Sequence, residues 1–346
     1  MSPTIARAPS PIPIVLSAYN AAPAGLTDRP RDETAWYATL RADAALGGLE
    51  IPVVGSSVHP RGVAHLASLL HPEWGNVLSA MSGTLFRLWS DENYGLASQS
   101  VAGRNAALTD AEGIRRTVAE MRGLLGAQSV QAVVLHSAPR ADRGSAAKLE
   151  DSLLQIASHD WGRMIFLLEH ADALVTGRKP QKGWQPLSTE IDVVRKVRAR
   201  TGLDFRLLLN WGRLAIEARS AAGARRLFAQ AVASDLVGAV TFSGATGSPH
   251  SRGHSWADVH LGLDIDESSS LLTTEIVQQT LGAAPDDLAF VGVKSGAPAW
   301  TGNSLEGRLG LARTLIDCVV EHAESRVRDS THNVLGGMES SHDRDG

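Results

Sequence analysis

Eight short apolar runs alternate with longer amphipathic stretches, and this alternation is the feature that most restricts the fold. The runs are rich in Val, Ile, Leu and Phe and break at Gly, Pro, Asn or Ser, which is typical of buried strands. Near-continuous apolar strands between helices favour a parallel sheet, and eight repeats predict a closed (β/α)8 TIM barrel. The predicted strands are residues 12–20, 46–54, 76–83, 130–138, 163–171, 205–212, 237–245 and 288–296.

An open, doubly wound parallel sheet is the alternative fold. No G-x-G-x-x-G sequence follows the first predicted strand, which disfavours a dinucleotide-binding version of that sheet. Within the barrel interpretation, residues 1–11 are a flexible N-terminus, residues 12–326 form the (β/α)8 barrel and residues 327–346 are a disordered tail, because the tail is polar and rich in Gly.

Composition narrows the class of partner. The net charge is -4, from 33 basic and 37 acidic residues that are well interspersed, so we expect no nucleic-acid partner. The single cysteine, Cys318, excludes a disulfide framework within this chain and a cysteine-based metal cluster. No run approaches ~20 apolar residues and the N-terminus has no signal-peptide pattern, so we expect a cytoplasmic protein without membrane contact. The sequence is compatible with a homodimer.

Three strand ends carry the candidate catalytic residues. In a TIM barrel the strand body is core, and its carboxyl end opens onto the active site. Glu169 follows five apolar residues and is a candidate general base, whereas His170 should point to the opposite side of the strand. Lys294 could be a cation for an oxyanion or phosphate, a Schiff-base amine, or a salt-bridge partner of Glu169. His136 ends the fourth strand with the same geometry.

Further candidates for substrate binding lie at other strand ends and in the loop that follows the seventh strand. That loop is long and rich in Gly, Ser and His, and such loops are usually functional. Tryptophan faces can stack on sugars, and arginines just beyond a strand can clamp an anion. The candidates are Glu50, Asn210, Trp211, Arg213, Arg140, Ser243, His254, Asp258 and His260.

Together these residues resemble the xylose-isomerase-like barrels, which include sugar isomerases, ketose epimerases and endonuclease IV-type repair enzymes. The shared features are a Glu on strand five, a polar residue on strand six and an Asp-x-His pair after strand seven. A closer resemblance is to a bacterial and fungal family of unknown function. The segments that carry it include "GLEIPVVG", "LHSAPR", "LLEHADALVTGRKPQKGWQPLSTEI", "LNWGRLAIE", "FSGAT", "WADVHL" and "VGVKSG".

The resemblance implies a ligand set for one divalent ion, namely Glu on strand five, Asp on six, His on seven and Glu on eight. Only Glu169 matches, because Asn210 and Lys294 stand at the sixth and eighth positions and Ser243 at the seventh. We therefore expect no cofactor and no metal at that site. The alternative is Mn, Mg or Zn bound by Glu169 with ligands from His250, His254, Asp258 and His260.

The preferred function is an enzyme of the isomerase or epimerase type that abstracts a proton from a sugar or sugar-derived small molecule through enediolate chemistry. One alternative is a glycoside hydrolase with Glu169 and Glu50 as its carboxylate pair, or a carbon–carbon or carbon–oxygen lyase that uses the same residues. A second alternative is a non-catalytic sugar-binding barrel. DNA repair is disfavoured by the negative net charge and the missing ligands.

Overall fold

The structure is a computed structural model that describes residues 12–296 and 304–339, with side chains described as far as residue 323. Eight parallel strands close into a barrel in sequence order, with the first strand paired to the last, so the predicted TIM barrel is confirmed and the open sheet is wrong. The strands are β1 (Ile14–Leu16), β2 (Leu46–Pro52), β3 (Asn76–Ser79), β4 (Val130–Leu135), β5 (Ile165–His170), β6 (Asp204–Asn210), β7 (Val237–Phe242) and β8 (Phe290–Val293).

Helices cover the outside of this barrel. Several begin at a residue whose side chain accepts a hydrogen bond from the first turn, such as Ser100, Ser145 and Thr273. The helices are α1 (Ala18–Ala21), α2 (Pro30–Arg41), α3 (Val63–Leu69), α4 (Met81–Leu88), α5 (Val101–Leu125), α6 (Ala146–Ala157), α7 (Leu187–Thr201), α8 (Trp211–Ala218), α9 (Ala221–Val232), α10 (Thr274–Ala283) and α11 (Leu305–Glu339).

The ends of the strands and the start of the predicted tail differ from the sequence-based expectation. The strands are shorter than predicted because the residues at their carboxyl ends no longer pair with the neighbouring strands. The helix α4, for example, begins two residues after Ser79. The predicted disordered tail begins at residue 327, but α11 continues to Glu339. Extending an existing helix by one residue fixes only that residue for each hydrogen bond gained, so polar composition alone does not end a helix. Residues 1–11 and 340–346 lie outside the described residues.

Two apolar layers hold the barrel together. The larger cluster lies between sheet and helices, and a smaller one fills the barrel interior with inward-facing residues from alternate strand positions. The inner layer consists of Val15, Val77, Ala132, Val134, Leu167, Leu208, Ala239 and Phe290. None of the helices among the described residues combines the length and the hydropathy that a membrane span requires.

Candidate active site

A ring of polar side chains lies directly above the inner apolar layer, at the carboxyl ends of the strands. The side-chain period of a strand is two, so the second residue beyond Val134, Leu167 or Leu208 also points inward. This rule places His136, Glu169 and Asn210 in the ring by strand geometry alone. The inward-facing polar residues at this end of the barrel include Ser17, Glu50, Ser79, His136, Glu169, Asn210, Thr241, Ser243 and Lys294.

Glu169 is held at the centre of the ring by a hydrogen bond from His136 and an ion pair with Arg213. Its Oε2 accepts a hydrogen bond from His136 Nε2 at 2.8 Å, and its Oε1 lies 2.8 Å from Arg213 Nη1. Burial alone would raise the pKa of Glu169, but the Arg213 guanidinium, the His136 hydrogen bond and the Lys294 ammonium outweigh burial and lower it below the usual range. A carboxylate with so low a pKa is a weak general base at neutral pH.

Lys294 pairs with Glu50 and makes no direct ion pair with Glu169. Its Nζ lies 2.9 Å from Glu50 Oε1 and 3.2 Å from Oε2, and it also lies 5.4 Å from the centre of the Tyr19 ring. Burial opposes the ammonium, but the Glu50 charge outweighs burial and raises the pKa of Lys294. Of the sequence-based roles for Lys294, the salt bridge with Glu169 is therefore wrong, since Glu50 is its partner.

His136 is a neutral imidazole with one nitrogen that forms no hydrogen bond. Because Glu169 is ionised, His136 Nε2 carries the proton of their hydrogen bond, which leaves a lone pair on Nδ1. Nδ1 is buried and has no hydrogen-bond partner. Burial lowers the pKa of His136 more than Glu169 raises it. The imidazole ring packs edge-on against Trp184, with 5.6 Å between the ring centroids.

Asp258 lies over the polar ring and contacts Lys182, Arg213 and His260. Its Oδ2 lies 2.5 Å from Lys182 Nζ and 3.5 Å from Arg213 Nε, and His260 Nδ1 lies 3.3 Å from its Oδ1. Burial lowers the pKa of His260 to about 4, so this imidazole is also neutral. Asp258 thus joins the β7–α10 loop to the β5–α7 loop through Lys182. Lys182 was missed in the sequence because it sits in a loop without a strand or helix pattern.

Asn210 and Ser243 bond to each other at the edge of the ring. Ser243 Oγ donates to Asn210 Oδ1 at 2.7 Å, and the same oxygen accepts a hydrogen bond from Gly212 N at the start of α8. Asn210 Nδ2 is buried and has no hydrogen-bond partner, so it can still donate to a ligand.

Three of the sequence-based candidates are not brought into this site. Trp211 is buried in the outer core and lines a groove beside α9 and α10. Arg140 is exposed and pairs with Asp142, and His254 is exposed and bonds the backbone oxygen of its neighbour Ser255. The hydrophobic pattern of the sequence could not show that these three residues lie outside the site and that Arg213 lies in it. Arg213 also follows a strand, but it is buried against Glu169.

A second buried cluster lies behind Glu169. His170 points away from the barrel interior, as the strand alternation predicts, and its two nitrogens lie 2.6 Å from Glu190 Oε2 and 3.0 Å from Glu217 Oε2. Ser137 Oγ donates to the other oxygen of Glu190. This network ties β5 to α7 and α8. The sequence did not reveal it, because Glu190 and Glu217 read as ordinary polar positions of their helices.

The site is closed in this conformation. Glu169, Lys294, His136 and Arg213 are each at most 2% exposed. The cavity between Glu50 and Glu169 has a volume of about 10 Å³, which is room for about one water molecule. A sugar therefore needs a loop above the ring to move before it can reach these groups.

These residues do not fit the divalent ion that the superfamily resemblance implies. The Lys294 ammonium occupies the strand-eight position, and the Arg213 guanidinium lies 2.8 Å from the single matching carboxylate, Glu169. Two fixed cations beside that carboxylate repel a third. Within the part of the chain that the structure describes, the ring carboxylates and imidazoles do not bring three ligand atoms within 4.8 Å of one another.

The barrel is similar in fold to solved structures of xylose-isomerase-like TIM barrels. A D-tagatose 3-epimerase-like protein superposes with a TM-score of 0.54 at 13% identity, covering 91% of this chain and 100% of that chain. A putative xylose isomerase from Rhodospirillum rubrum gives 0.57 at 12% identity, covering 89% and 98%. The IolI protein with a bound zinc atom gives 0.56 at 14% identity, covering 90% and 99%.

The chain belongs to the family described as Domain of unknown function (DUF4862), whose model matches residues 15–311. A relative in Salmonella typhimurium, the uncharacterized protein STM3670, is 30% identical over 285 residues, which is 81% of this chain and 88% of that protein. The closer of the two resemblances noted in the sequence, to a family of unknown function, is therefore confirmed, and the solved structures confirm the barrel fold.

Proposed function

We propose that this protein is an enzyme that moves a proton between carbon atoms of a sugar or sugar-derived small molecule, as an isomerase or epimerase does. The observation that carries the proposal is the state of His136. Its imidazole is neutral and inward-facing, Glu169 fixes its Nε2, and its Nδ1 has no hydrogen-bond partner. A base oriented by a carboxylate is the usual arrangement for positioned proton transfer.

In this mechanism His136 Nδ1 removes a proton from the carbon next to a substrate carbonyl. The C–H electron pair forms the carbon–carbon double bond of an enediolate, and the carbonyl oxygen becomes an oxyanion. Lys294 and Arg213 supply fixed positive charge to that oxygen. Return of the proton to the other carbon, with the hydroxyl proton of the enediolate passing to the oxyanion, gives an isomer. Return to the opposite face of the same carbon gives an epimer.

Glu169 has a different role here from the one that its place in the sequence suggested. Its low pKa disfavours proton abstraction, but its charge stabilises the imidazolium that forms when His136 accepts a proton. No step passes through a metal ion, because the residues of the ring do not fit one. Substrate entry requires that the Lys182–Asp258 contact open.

The hydrolase alternative is disfavoured by the charge state of its two carboxylates. A glycosidase needs one carboxyl that stays protonated near neutral pH to act as a general acid. The pKa values of Glu50 and Glu169 are both lowered by adjacent cations. A lyase that uses the same groups would begin with the same proton abstraction. The remaining candidate, a sugar-binding barrel without turnover, requires the same opening of the closed site as the enzyme does.

The test is hydrogen exchange into unlabelled sugars in D2O, followed by proton NMR across a panel of aldoses and ketoses. We expect the wild type to exchange one carbon-bound proton of its substrate. His136→Gln should slow exchange by about 100-fold or more. The exposed His159→Gln is the matched control and should not change it.

Three results would count against the proposal. A His136→Gln variant with wild-type exchange would remove His136 as the base. Loss of exchange after treatment with a chelator would show that a metal does the chemistry. A sugar that binds tightly without any exchange would favour the binding-protein alternative.

A further inference from the structure

We propose that Glu33, His59 and His65, none of which belongs to the polar ring, form a binding site for Zn²⁺ on the outside of the barrel. Glu33 lies on α2, His65 lies on α3, and His59 lies in the connection between β2 and α3. Their ligand atoms all lie within 4.8 Å of one another, and among the described residues this is the only such group.

The contacts have the pattern of a partly assembled metal site. His59 Nε2 lies 2.7 Å from Glu33 Oε1, and His65 Nε2 lies 3.0 Å from Glu33 Oε2. The two imidazole rings are adjacent, with 4.8 Å between centroids. Two imidazole nitrogens and one carboxylate are ligands that Zn²⁺ accepts, and three protein ligands leave its fourth position open.

Two of the three side chains are buried, and the third is open to solvent. Glu33 is 1% exposed and the His59 side chain is 4% exposed, whereas the His65 side chain is 27% exposed and marks the open side. A cavity of about 270 Å³ is lined by Glu33 and His59, and also by Glu50 of the polar ring, and it offers room beside the ligands.

Arg61 competes with the ion in this proposal. Its Nη2 contacts Glu33 Oε2, and its backbone N–H donates to His59 Nδ1 at 3.0 Å. A zinc ion on His59 Nε2 moves the imidazole proton to Nδ1, so the backbone contact must open as the ion binds. The Arg61 side chain is 35% exposed and can turn outward to solvent.

A purely structural role for the same residues makes a different prediction. In that case Arg61 and the two histidines only neutralise Glu33 and hold α2 against α3. Removing Arg61 then lowers stability and gains no metal affinity. If the site binds zinc, removing Arg61 removes a competing cation and tightens binding.

The experiment is zinc titration of tag-free, metal-stripped protein by calorimetry, with elemental analysis of the product. We expect one Zn²⁺ per chain. His65→Ala should weaken binding by more than ~100-fold, beyond what loss of an outer-shell partner costs. His71→Ala, which removes a nearby histidine outside the cluster, is the matched control and should leave affinity unchanged. Arg61→Ala should bind more tightly than the wild type.

Cobalt supplies an independent readout, because a four-coordinate Co²⁺ site absorbs visible light strongly. The wild type should show this absorption and His65→Ala should not. The proposal is overturned if the wild type does not bind Zn²⁺, if His65→Ala binds as tightly as the wild type, or if Arg61→Ala loses stability with no gain in affinity. None of these measurements depends on the activity of the polar ring.

Discussion

Replacing Lys294 with Met tests the electrostatics of the polar ring. The change keeps the apolar stem and removes the ammonium that lies 2.9 Å from Glu50 Oε1. At that distance, and with an effective dielectric constant of ~20, the lost attraction is about 6 kcal/mol. Relief of the lysine's own burial offsets part of this loss. Because removing one partner strands the other charge, we expect the free energy of unfolding to fall by about 3–5 kcal/mol at pH 7.

The pH dependence of this loss is the sharper part of the prediction. In the wild type the pKa of Glu50 is lowered in the folded state. The ionised Glu50 therefore stabilises the fold above pH 4.5, which is its pKa in the unfolded chain, and this stabilisation is lost as the pH falls further. Without Lys294, burial and the Glu169 charge raise the pKa of Glu50 instead. Protonation then relieves the stranded charge, so the difference between variant and wild type should shrink from pH 7 to pH 5.

The assay is urea unfolding followed by tryptophan fluorescence at both pH values. The double variant Glu50→Gln with Lys294→Met should recover most of the lost stability, because no unpaired charge remains. Lys148→Met, which breaks an exposed pair with Asp151, is the control and should cost under about 1 kcal/mol. A Lys294→Met loss below about 1 kcal/mol that does not change with pH would refute the buried pair.

Three further predictions concern the framework around the ring. Burial lowers the pKa of His170, but the Glu190 and Glu217 carboxylates outweigh burial and raise it to about 10. The stabilisation that the protonated His170 gives to the folded state is therefore complete below pH 6.5 and is lost as the pH rises through 10. His170→Gln should therefore flatten the decline of the unfolding free energy between pH 7 and 10 in denaturant titrations. Gly212→Ala would place a methyl group 2.6 Å from the backbone oxygen of Ser243 and should cost about 1–3 kcal/mol in the same titration, and an unchanged midpoint would contradict this crowding. Leu167→Ala empties part of the inner layer and should cost about 2–5 kcal/mol by chemical denaturation, so a loss under 1 kcal/mol would contradict its packing there.

The barrel and its polar ring were largely predictable from the sequence. Apolar runs such as residues 164–168 identify strands that are buried on both faces, and eight of them between helices leave few architectures. The same alternation that puts Leu167 inside also puts Glu169 inside and His170 outside. Both predictions required only the fixed period of a strand.

The charge partners within the ring were not predictable from the sequence. Lys294 meets Glu50 across 244 positions, and Lys182 meets Asp258 across 76. The buried Arg213 and the exposed Arg140 look alike in the sequence, since both follow a strand. The Glu33 cluster gave no signal, because its members come from two helices and a connection.

Strand period and hydrophobicity are local properties, so the sequence by itself determined which residues form the strands and which side chains face inward. Contacts between side chains also depend on how the closed barrel staggers its strands and where each loop returns over the mouth. Those distances are set only when the whole sheet closes. The tertiary structure alone therefore decided that Glu169 is held by Arg213 and His136, and that Lys294 neutralises Glu50.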